Sequence, residues 1–359
     1  MRIIQLIDSL EAGGAERMAL QYATVLAEKV AFSGLVATRQ EGELKNEIPD
    51  NVAYLFLNKR KTLDWRAVAR LRKYVLKNDI AFIHAHSSSY FLAVLVKLTL
   101  PKLKIIWHDH YGNSAFLANR PSRILRFCAP FFWGIIAVNQ GLKDWSQKKL
   151  HFKNTVFLPN FPLLKTKENT VKTILKGESG KRIVCLANLR PQKNHLLLLK
   201  IAQQLQDSDP AWTFHLVGKD FQDDYSKTIK QEIQQRDLQQ QVFLYDSCSD
   251  VSAVLKQAQI GVLTSSSEGL PVALLEYASV GLPVVVTLVG QVPEIVKQNG
   301  NGFVVASGDD AAFVQSLQKL IHDVRLREKF SANLQQRVQE QYSAQTVIKK
   351  YLHWVESLS

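Results

Sequence analysis

The chain has 359 residues, of which 46% are hydrophobic and 21% are charged, and its formal net charge at pH 7 is +13. This length suits two domains of ordinary size, and the composition excludes disordered, collagen-like and other fibrous classes. The three cysteines are odd in number and far apart, which excludes a disulfide framework or a zinc-site spacing and indicates a reducing compartment.

Residues 2–7 form a short apolar run, followed by a glycine turn and a helix-period segment at residues 15–28. We therefore predict a buried first strand rather than a signal peptide, and we expect a cytoplasmic protein. Gly13 and Gly14 lie at the predicted helix start, where free backbone N–H groups and the helix dipole favour an anion such as a diphosphate. A tight turn that only starts the helix is the alternative. The spacing is not the G-x-G-x-x-G of dinucleotide-binding folds.

Short apolar runs alternate with helix-period segments along the rest of the chain. The runs fall at residues 80–84, 104–107, 134–138, 182–186, 213–217, 260–264 and 283–287. Such alternation predicts parallel βαβ units that are covered on both faces of the sheet. We therefore expect an α/β protein of two doubly wound, Rossmann-like domains that face a central cleft.

A segment rich in lysine and glycine, without strand character, separates the two halves of the chain. We place an N-terminal domain at residues 1–165, a linker at 166–180, a C-terminal domain at 181–340 and a final helix at 341–359. In doubly wound two-domain proteins such a final helix can return to the first domain.

The positive charge is concentrated in the first half, where residues 51–170 carry 20 basic and 5 acidic side chains. Arg120, Arg123 and Arg126 recur there at three-residue spacing and lead into an aromatic run at residues 131–133. A basic, aromatic-rich helix of this kind can lie on an anionic membrane, and a packed helix with a solvated arginine face is the alternative. No nucleic-acid-binding module accompanies the charge, and no apolar stretch reaches the roughly 20 residues that span a bilayer. We expect peripheral association with the inner face of the plasma membrane.

Two glutamates follow the predicted strand at residues 260–264. Glu268 precedes Gly269 on a turn, and Glu276 lies eight positions later, in the helix that follows. Gly269 lets the backbone approach a ligand, and the free N–H groups of the helix start, around Leu270 and Val272, can bind phosphate or sugar oxygens. The two carboxylates can accept hydrogen bonds from sugar and ribose hydroxyls. A solvated helix position is the alternative for either glutamate alone.

The spacing of Glu268 and Glu276 resembles the E-x7-E motif of retaining glycosyltransferase family four, and the resemblance covers nearly the whole chain. The supporting motifs are Gly-Gly-Ala-Glu at 13–16, Ile-His-Ala-His at 83–86, Ile-Ala-Val-Asn at 136–139, Leu-Arg-Pro-Gln-Lys-Asn at 189–194 and Val-Gly at 217–218. The resemblance implies the GT-B fold, with the nucleotide-sugar donor bound in the C-terminal domain and the acceptor in the N-terminal domain.

In that family a basic pair neutralises the diphosphate of the donor, and the resemblance assigns this role to Lys193 with Arg190. The family often has an arginine where this chain has Asn188, so Arg190 must replace it or the arginine is missing. Asn188 and Gly218 are further predicted donor-binding residues. No Asp-x-Asp motif is available at a strand end, and we predict no cofactor and no metal.

The family also keeps a histidine at a strand end of the first domain, where its neutral ring orients donor and acceptor. His108 aligns best with this position, His110 is the competitor, and Asp109 is expected to orient either ring. His84 and His86 are expected to be packing or acceptor-pocket residues. Metal binding by the pair at 108 and 110 is a weak alternative because a third ligand is not evident.

The activity that the resemblance implies is transfer of a sugar, with retention, from a nucleoside-diphosphate sugar to a hydroxyl of a glycan or a polyprenyl-linked saccharide. Cell-surface polysaccharides such as lipopolysaccharide or capsule are the expected products. Both UDP and GDP carriers stay open at this point. A nucleotide-sugar epimerase of the same fold and a non-catalytic nucleotide-sugar-binding protein are the two alternatives.

Overall fold

The computed structural model describes residues 1–11, 13–112, 117, 119–163, 172–248 and 250–358. The chain divides into two compact units. The first unit comprises Met1–Phe161 with Ala344–Ser359, and the second comprises Pro162–Ser343. The sequence placed the corresponding boundaries at 165 and 340. Residues 166–171 of the predicted linker lie outside the described residues.

The first unit contains a seven-stranded parallel sheet. Its strands are β1 (Arg2–Ser9), β2 (Phe32–Gln40), β3 (Ala53–Phe56), β4 (Phe82–His86), β5 (Lys104–Asp109), β6 (Gly134–Ala137) and β7 (Thr155–Phe157). The strand order is β3-β2-β1-β4-β5-β6-β7, so the direction of winding reverses between β1 and β4. Ligands of doubly wound sheets bind beyond the carboxyl ends of the strands at such a reversal.

Five helices connect these strands: α1 (Gly14–Ala27), α2 (Trp65–Lys77), α3 (Tyr90–Thr99), α4 (Arg123–Cys128) and α5 (Gln140–Lys149). Successive strand residues point to opposite faces, so Ile4 packs with α2, α3 and α4, whereas Ile3 packs with α1. Helix α4 ends at Cys128 and continues as a 3-10 turn, Ala129–Phe131, in which Pro130 lacks the N–H that an α-helix needs.

The second unit contains a six-stranded parallel sheet. Its strands are β8 (Arg182–Leu186), β9 (Thr213–Val217), β10 (Val242–Tyr245), β11 (Ile260–Leu263), β12 (Val284–Thr287) and β13 (Phe303–Val305). The order is β10-β9-β8-β11-β12-β13, with the reversal between β8 and β11. Its helices are α6 (His195–Leu205), α7 (Asp224–Gln235), α8 (Val251–Leu255), α9 (Val272–Ser279), α10 (Val292–Ile295), α11 (Asp310–His322) and α12 (Val324–Tyr342).

The last helix, α13 (Ala344–Ser357), belongs to the first unit. Val347, Ile348, Tyr351 and Val355 lie on one helical face and are buried in the same core cluster as Ile3 of β1. Ser343 separates α12 from α13 with an extended backbone, φ −66° and ψ 149°. Two chain segments that are far apart in the sequence therefore build the first unit.

These two parallel sheets confirm the predicted α/β class with two doubly wound, Rossmann-like units. Buried strands such as β4 and β12 are continuously apolar or uncharged, as expected for a sheet covered on both faces. Within the described residues, no helix combines the length and the apolar character that a membrane-spanning segment requires.

Candidate active site

A partly buried ion pair lies at the carboxyl end of the second sheet, where β8 and β11 are neighbours. The Nζ of Lys193 donates to Oε1 of Glu268 at 2.5 Å, and the hydroxyl of Ser265 donates to the same oxygen at 2.7 Å. Glu268 is 9% exposed, and Lys193 belongs to a 3-10 turn, Pro191–Lys193, after β8. The structure thus brings together two residues that are 75 positions apart in the sequence and that the sequence assigned to one site.

The two loops that carry this ion pair are bonded to each other. Thr264 donates its hydroxyl to the carbonyls of Lys193 and Asn194, each at 3.1 Å, and the N–H of Ser266 donates to the carbonyl of Gln192 at 2.8 Å. Asn194 has left-handed backbone angles, φ 51° and ψ 50°, which end the turn and start α6. These contacts hold the backbone of the turn that carries Lys193 against the loop that carries Glu268.

The loop after β12 holds the Glu268 turn from the other side. The N–H of Gln291 donates to the carbonyl of Gly269 at 3.0 Å. Gly290 has φ +50°, and a β-carbon there would overlap the carbonyl of Glu268. Only glycine fits this close approach, so Gly290 joins the residues that shape the site although the sequence did not indicate it.

Helix α9 extends the site from its N-terminus. Pro271 is its N-cap residue, Val272 begins it half-buried, and Leu270 before it is buried in the core. Glu276 is 4% exposed in the next turn of α9. The neighbouring hydroxyl of Tyr277 accepts the N–H of Leu186 at 2.6 Å, which ties α9 to the end of β8.

Arg190 lies three residues before Lys193 but contacts different groups. Its guanidinium lies 3.5 Å from the ring centroid of Phe221 and 3.8 Å from Asp223, and its side chain is 44% exposed. Asn188 accepts the N–H of Lys219 at 2.9 Å, and a β-carbon on Gly218 would overlap the carbonyl of Ala187. Asn188 and Gly218 therefore brace the loops after β8 and β9, and Arg190 is held beside Phe221.

In the first unit, Gly13 is the N-cap residue of α1 and Gly14 begins the helix. The Glu16 carboxylate folds back over Gly13 and accepts the Ser9 hydroxyl at 3.4 Å. Burial raises the pKa of Glu16. Among the described atoms, none lies within 4 Å of a β-carbon built on Gly14, so the backbone at Gly14 is open to a ligand.

Four histidines at the ends of β4 and β5 form a hydrogen-bonded cluster with Gln5 of β1. Nε2 of His84 lies 3.1 Å from Nδ1 of His108, and Nδ1 of His86 lies 2.9 Å from Nε2 of His110. Nε2 of His86 lies 2.9 Å from Oε1 of Gln5. With the Gln5 oxygen as acceptor, His86 donates through Nε2 and accepts through Nδ1, so Nε2 of His110 is a donor.

Burial keeps this histidine cluster neutral. Burial lowers the pKa values of His84, His86 and His108 well below their ordinary value, and it lowers the pKa of His110 to about 3. His108 has no exposed surface, whereas His110 is partly exposed. Of the two predicted histidines, His110 is therefore the one that can contact a substrate from this unit.

The ligand atoms of His84, His86 and His108 lie within 4.8 Å of one another, close enough to raise the question of a metal ion. His86, however, uses both ring nitrogens in hydrogen bonds to His110 and Gln5. The rings of His84 and His86 stack face to face with centroids 4.4 Å apart, and lone pairs in parallel ring planes do not converge on one ion. This arrangement is that of a hydrogen-bonded network.

The expectation that Asp109 orients a histidine is wrong. Its carboxylate accepts two hydrogen bonds from Arg120, at 2.6 and 2.8 Å, and one from the N–H of Tyr111. The Arg120 guanidinium lies 4.3 Å from the ring centroids of Tyr111 and Trp145, and its side chain is 9% exposed. Arg120 precedes α4, which begins at Arg123, and is a buried structural residue rather than part of an exposed arginine face.

Sequence reasoning did not find Gln5, Tyr22 and Tyr351, which complete the histidine cluster. Tyr22 of α1 meets the rings of His84 and His108 edge-on, and Tyr351 of α13 stacks on His84 at 5.5 Å. The available signal was the strand register, which pairs Gln5 with His84 and His86 with His108. That register requires the sheet order, which a single sequence does not specify.

The two doubly wound sheets, each with charged or hydrogen-bonding residues beyond its strand ends, define an α/β protein of the GT-B type. The sequence profile of the group 1 glycosyl transferases matches residues 166–337, and that of Glycosyltransferase Family 4 matches residues 12–161. The chain therefore belongs to the group 1, family four glycosyltransferases, and it is a glycosyltransferase. The family assignment favours the transferase over the epimerase and the non-catalytic alternatives.

Relatives of known name match over most of the chain. An Escherichia coli protein named UDP-Gal:alpha-D-GlcNAc-diphosphoundecaprenol alpha-1,3-galactosyltransferase is 24% identical over 337 residues, which cover 86% of this chain and 85% of the relative. A Campylobacter jejuni alpha-1,4-N-acetyl-D-galactosaminyltransferase, named for an undecaprenol diphosphate-linked acceptor, is 24% identical over 353 residues, 95% of this chain and 94% of the relative. The crystal structure of Anabaena HepE with UDP-glucose has a TM-score of 0.80 at 16% identity, covering 99% of this chain and 100% of HepE.

Proposed function

We propose that this glycosyltransferase transfers a sugar from a UDP-sugar to a hydroxyl of a polyprenyl-linked saccharide or another glycan, with retention and without a metal ion. The product is a cell-surface polysaccharide such as lipopolysaccharide or capsule. The observation that carries the proposal is the Lys193–Glu268 pair at the carboxyl end of the second sheet. The UDP-glucose bound to HepE supports a uridine carrier, and the names of two relatives support an undecaprenol-linked acceptor.

Lys193 is the cation that neutralises the donor diphosphate in this proposal, with Arg190 as a second positive charge nearby. The bond between the anomeric carbon and the β-phosphate oxygen breaks while the acceptor oxygen bonds to the same carbon on the same face. The acceptor proton passes to the phosphate oxygen that leaves, and UDP departs. The Lys193 ammonium stabilises the negative charge that develops on that oxygen, and this role needs no metal.

When Lys193 turns to the diphosphate, Glu268 and Glu276 accept hydrogen bonds from hydroxyls of the donor. The N–H groups at Gly269 and at the start of α9 bind donor oxygens. In the first unit, Gly14 offers an open backbone to an anion. His110 accepts a sugar hydroxyl through Nδ1, because its Nε2 donates to His86.

We place the reaction at the cytoplasmic face of the plasma membrane, since the polyprenyl chain of the acceptor lies in the bilayer. The basic first half of the chain supports this location, because anionic lipids attract positive charge.

UDP and one UDP-sugar are expected to raise the melting temperature of the chain, and EDTA is expected to leave the shift unchanged. A ligand at 100 times its Kd stabilises the folded state by about 2.7 kcal/mol. For units of this size the corresponding rise is roughly 5–10 °C. A thermal-shift panel of UDP, GDP and their common sugar conjugates, each with and without EDTA, measures the effect.

Glu232→Gln, a substitution on α7 away from the site, serves as a control variant and should show the same UDP-induced shift as the wild type. Shifts with GDP and none with UDP would exclude the uridine carrier. A shift that appears only with divalent cations would exclude the metal-independent mechanism, and no shift with any nucleotide would contradict the donor site.

A further inference from the structure

Helices α2, α3 and α4 form one layer on the first unit. Helix α3 packs against both α2 and α4. The inward residues Leu71, Val96 and Leu125, one from each helix, are buried in a single core cluster together with Ile4 of β1. The outward side of the three helices is therefore one surface, named here the α2–α4 face.

The α2–α4 face is basic and carries no acidic residue. The three helices contain no aspartate or glutamate, and their basic residues are Arg66, Arg70, Arg72, Lys73, Lys77, Lys97, Arg123 and Arg126. All of these except Lys97 are exposed. Helices α1 and α13, which pack on the opposite side of the sheet, carry both signs, including Glu16 and Glu356. The three helices thus form a basic surface, which Asp64 and Asp79 flank at the two ends of α2.

Large apolar side chains are exposed on the same face. Phe127 is 74% and Ile124 63% exposed on α4, Leu98 is 57% exposed at the end of α3, and Leu76 is 53% exposed on α2. Of the nine large hydrophobic residues that are exposed among the described residues, six lie between residues 63 and 127. Single exposed hydrophobics are ordinary, but a group of them among basic residues with no acid is the pattern of an interfacial membrane contact.

We propose that the α2–α4 face binds an anionic lipid bilayer, with Ile124 and Phe127 entering the interface and Arg123 and Arg126 beside them on the headgroups. The inference rests on the proposed function, because a bilayer-bound acceptor requires the enzyme at the membrane, and it identifies the surface that does this. A polyanionic polysaccharide satisfies the arginines but gives Ile124 and Phe127 no apolar contact, and no nucleic-acid-binding module accompanies these residues. The combination of exposed apolar and basic groups therefore favours lipid.

Vesicle sedimentation with the full chain tests this surface. The vesicles are phosphatidylcholine alone and phosphatidylcholine with phosphatidylglycerol, each at low and at high salt. Wild type should bind the anionic vesicles at least about tenfold more tightly than the neutral ones, and high salt should weaken that binding. Ile124→Gln/Phe127→Gln should weaken it by about tenfold or more without changing the net charge. Arg123→Gln/Arg126→Gln should weaken it by about 25-fold, since each cation contributes about fivefold.

Each pair has a matched control. Ile174→Gln removes an apolar side chain that is 74% exposed, as Phe127 is, but lies in the second unit. Lys349→Gln/Lys350→Gln removes two exposed charges from α13, on the opposite side of the sheet. Both controls should bind the anionic vesicles as the wild type does.

Three results would overturn the proposal. One is the absence of binding to anionic vesicles, and another is an equal loss for the test pairs and their controls. The third is that the chain binds heparin and that the Ile124/Phe127 substitutions weaken heparin binding as much as they weaken vesicle binding. That result would indicate a soluble polyanion as the ligand of this face. The UDP-induced thermal shift is measured on the same variants. If vesicle binding is lost while the UDP shift stays intact, the result reports on the α2–α4 face alone. If the wild type shows no UDP shift, the result contradicts the proposed function instead.

Discussion

Lys193→Ala is expected to lower kcat by about 10²- to 10³-fold, equivalent to roughly 3–4 kcal/mol of transition-state stabilisation. The contacts of Thr264 and Ser266 hold the backbone of the turn that carries Lys193, so the lysine reaches the departing phosphate from a fixed backbone position. The measurement is UDP release from the donor identified by thermal shift, with kcat and KM determined separately. Lys193→Arg should recover part of the rate because it keeps the charge but not the geometry.

Glu268→Gln tests the other half of the pair. It should lower kcat over a similar range, and the double variant should fall little below the worse single variant, because residues that act as a unit are not additive. Lys227→Ala, which removes a lysine that is 67% exposed on α7, is the matched control and should keep the wild-type rate. A wild-type kcat for Lys193→Ala, in a variant with an unchanged melting temperature, would exclude the proposed role.

Acid is expected to destabilise the first unit more steeply than the second. An unfolded histidine has a pKa of about 6.5, and the cluster in the first unit has lower pKa values, so between these limits the unfolded chain binds more protons. The contribution of the neutral cluster to the free energy of unfolding is present in full above pH ~6.5 and is lost as the pH falls below that value. Four neutral histidines give a loss of about 5 kcal/mol per pH unit, which is comparable with the whole stability of a domain.

The second unit provides an internal comparison. Burial lowers the pKa of His195 to about 4 and that of His215 to about 3, so this unit has two such groups and about half the slope. Hydrogen exchange at about pH 7.5 and about pH 5.5, corrected for intrinsic rates, reports the two units separately.

Two substitutions sharpen the pH test. His108→Gln should reduce the slope of the first unit by about a quarter, because one of its four titrating groups is removed. The exposed His151→Gln, in the same unit, should leave the slope as it is. Equal acid sensitivity of the two units would show that the cluster does not stay neutral in the folded state. That comparison uses the wild-type chain alone, so it holds even if His108→Gln fails to fold.

The donor side was predictable because its information is local. Glu268, Gly269 and Glu276 occupy one strand–turn–helix segment, and strand–helix alternation in parallel sheets follows from short, apolar, uncharged runs. The assignment of Lys193 to the same site followed from the family resemblance, because a single sequence does not specify that β8 and β11 are neighbours. The sequence did not predict Gly290 as a site residue, because its role depends on the approach of a carbonyl from another loop. No local sequence pattern marks that approach.

The first unit was less predictable because its key contacts depend on strand register and burial. His84 and His86 alternate with apolar residues, which indicates one face of a strand, but their partners Gln5 and His108 follow only from the order β1-β4-β5. Arg120 was grouped with Arg123 and Arg126 by spacing. The boundary of α4 and the buried Asp109 separate it from them, and spacing alone carries neither fact.

Helix α13 has a consequence for the order of events during synthesis. Tyr22 and His84 meet Tyr351, yet about 180 residues of the second unit are translated between the two parts of the first. At about 5–20 residues per second, the ribosome takes roughly ten to forty seconds to make that intervening segment. During this interval the nascent first unit lacks the helix that seals its histidine face, so it completes its core only after its neighbour has emerged.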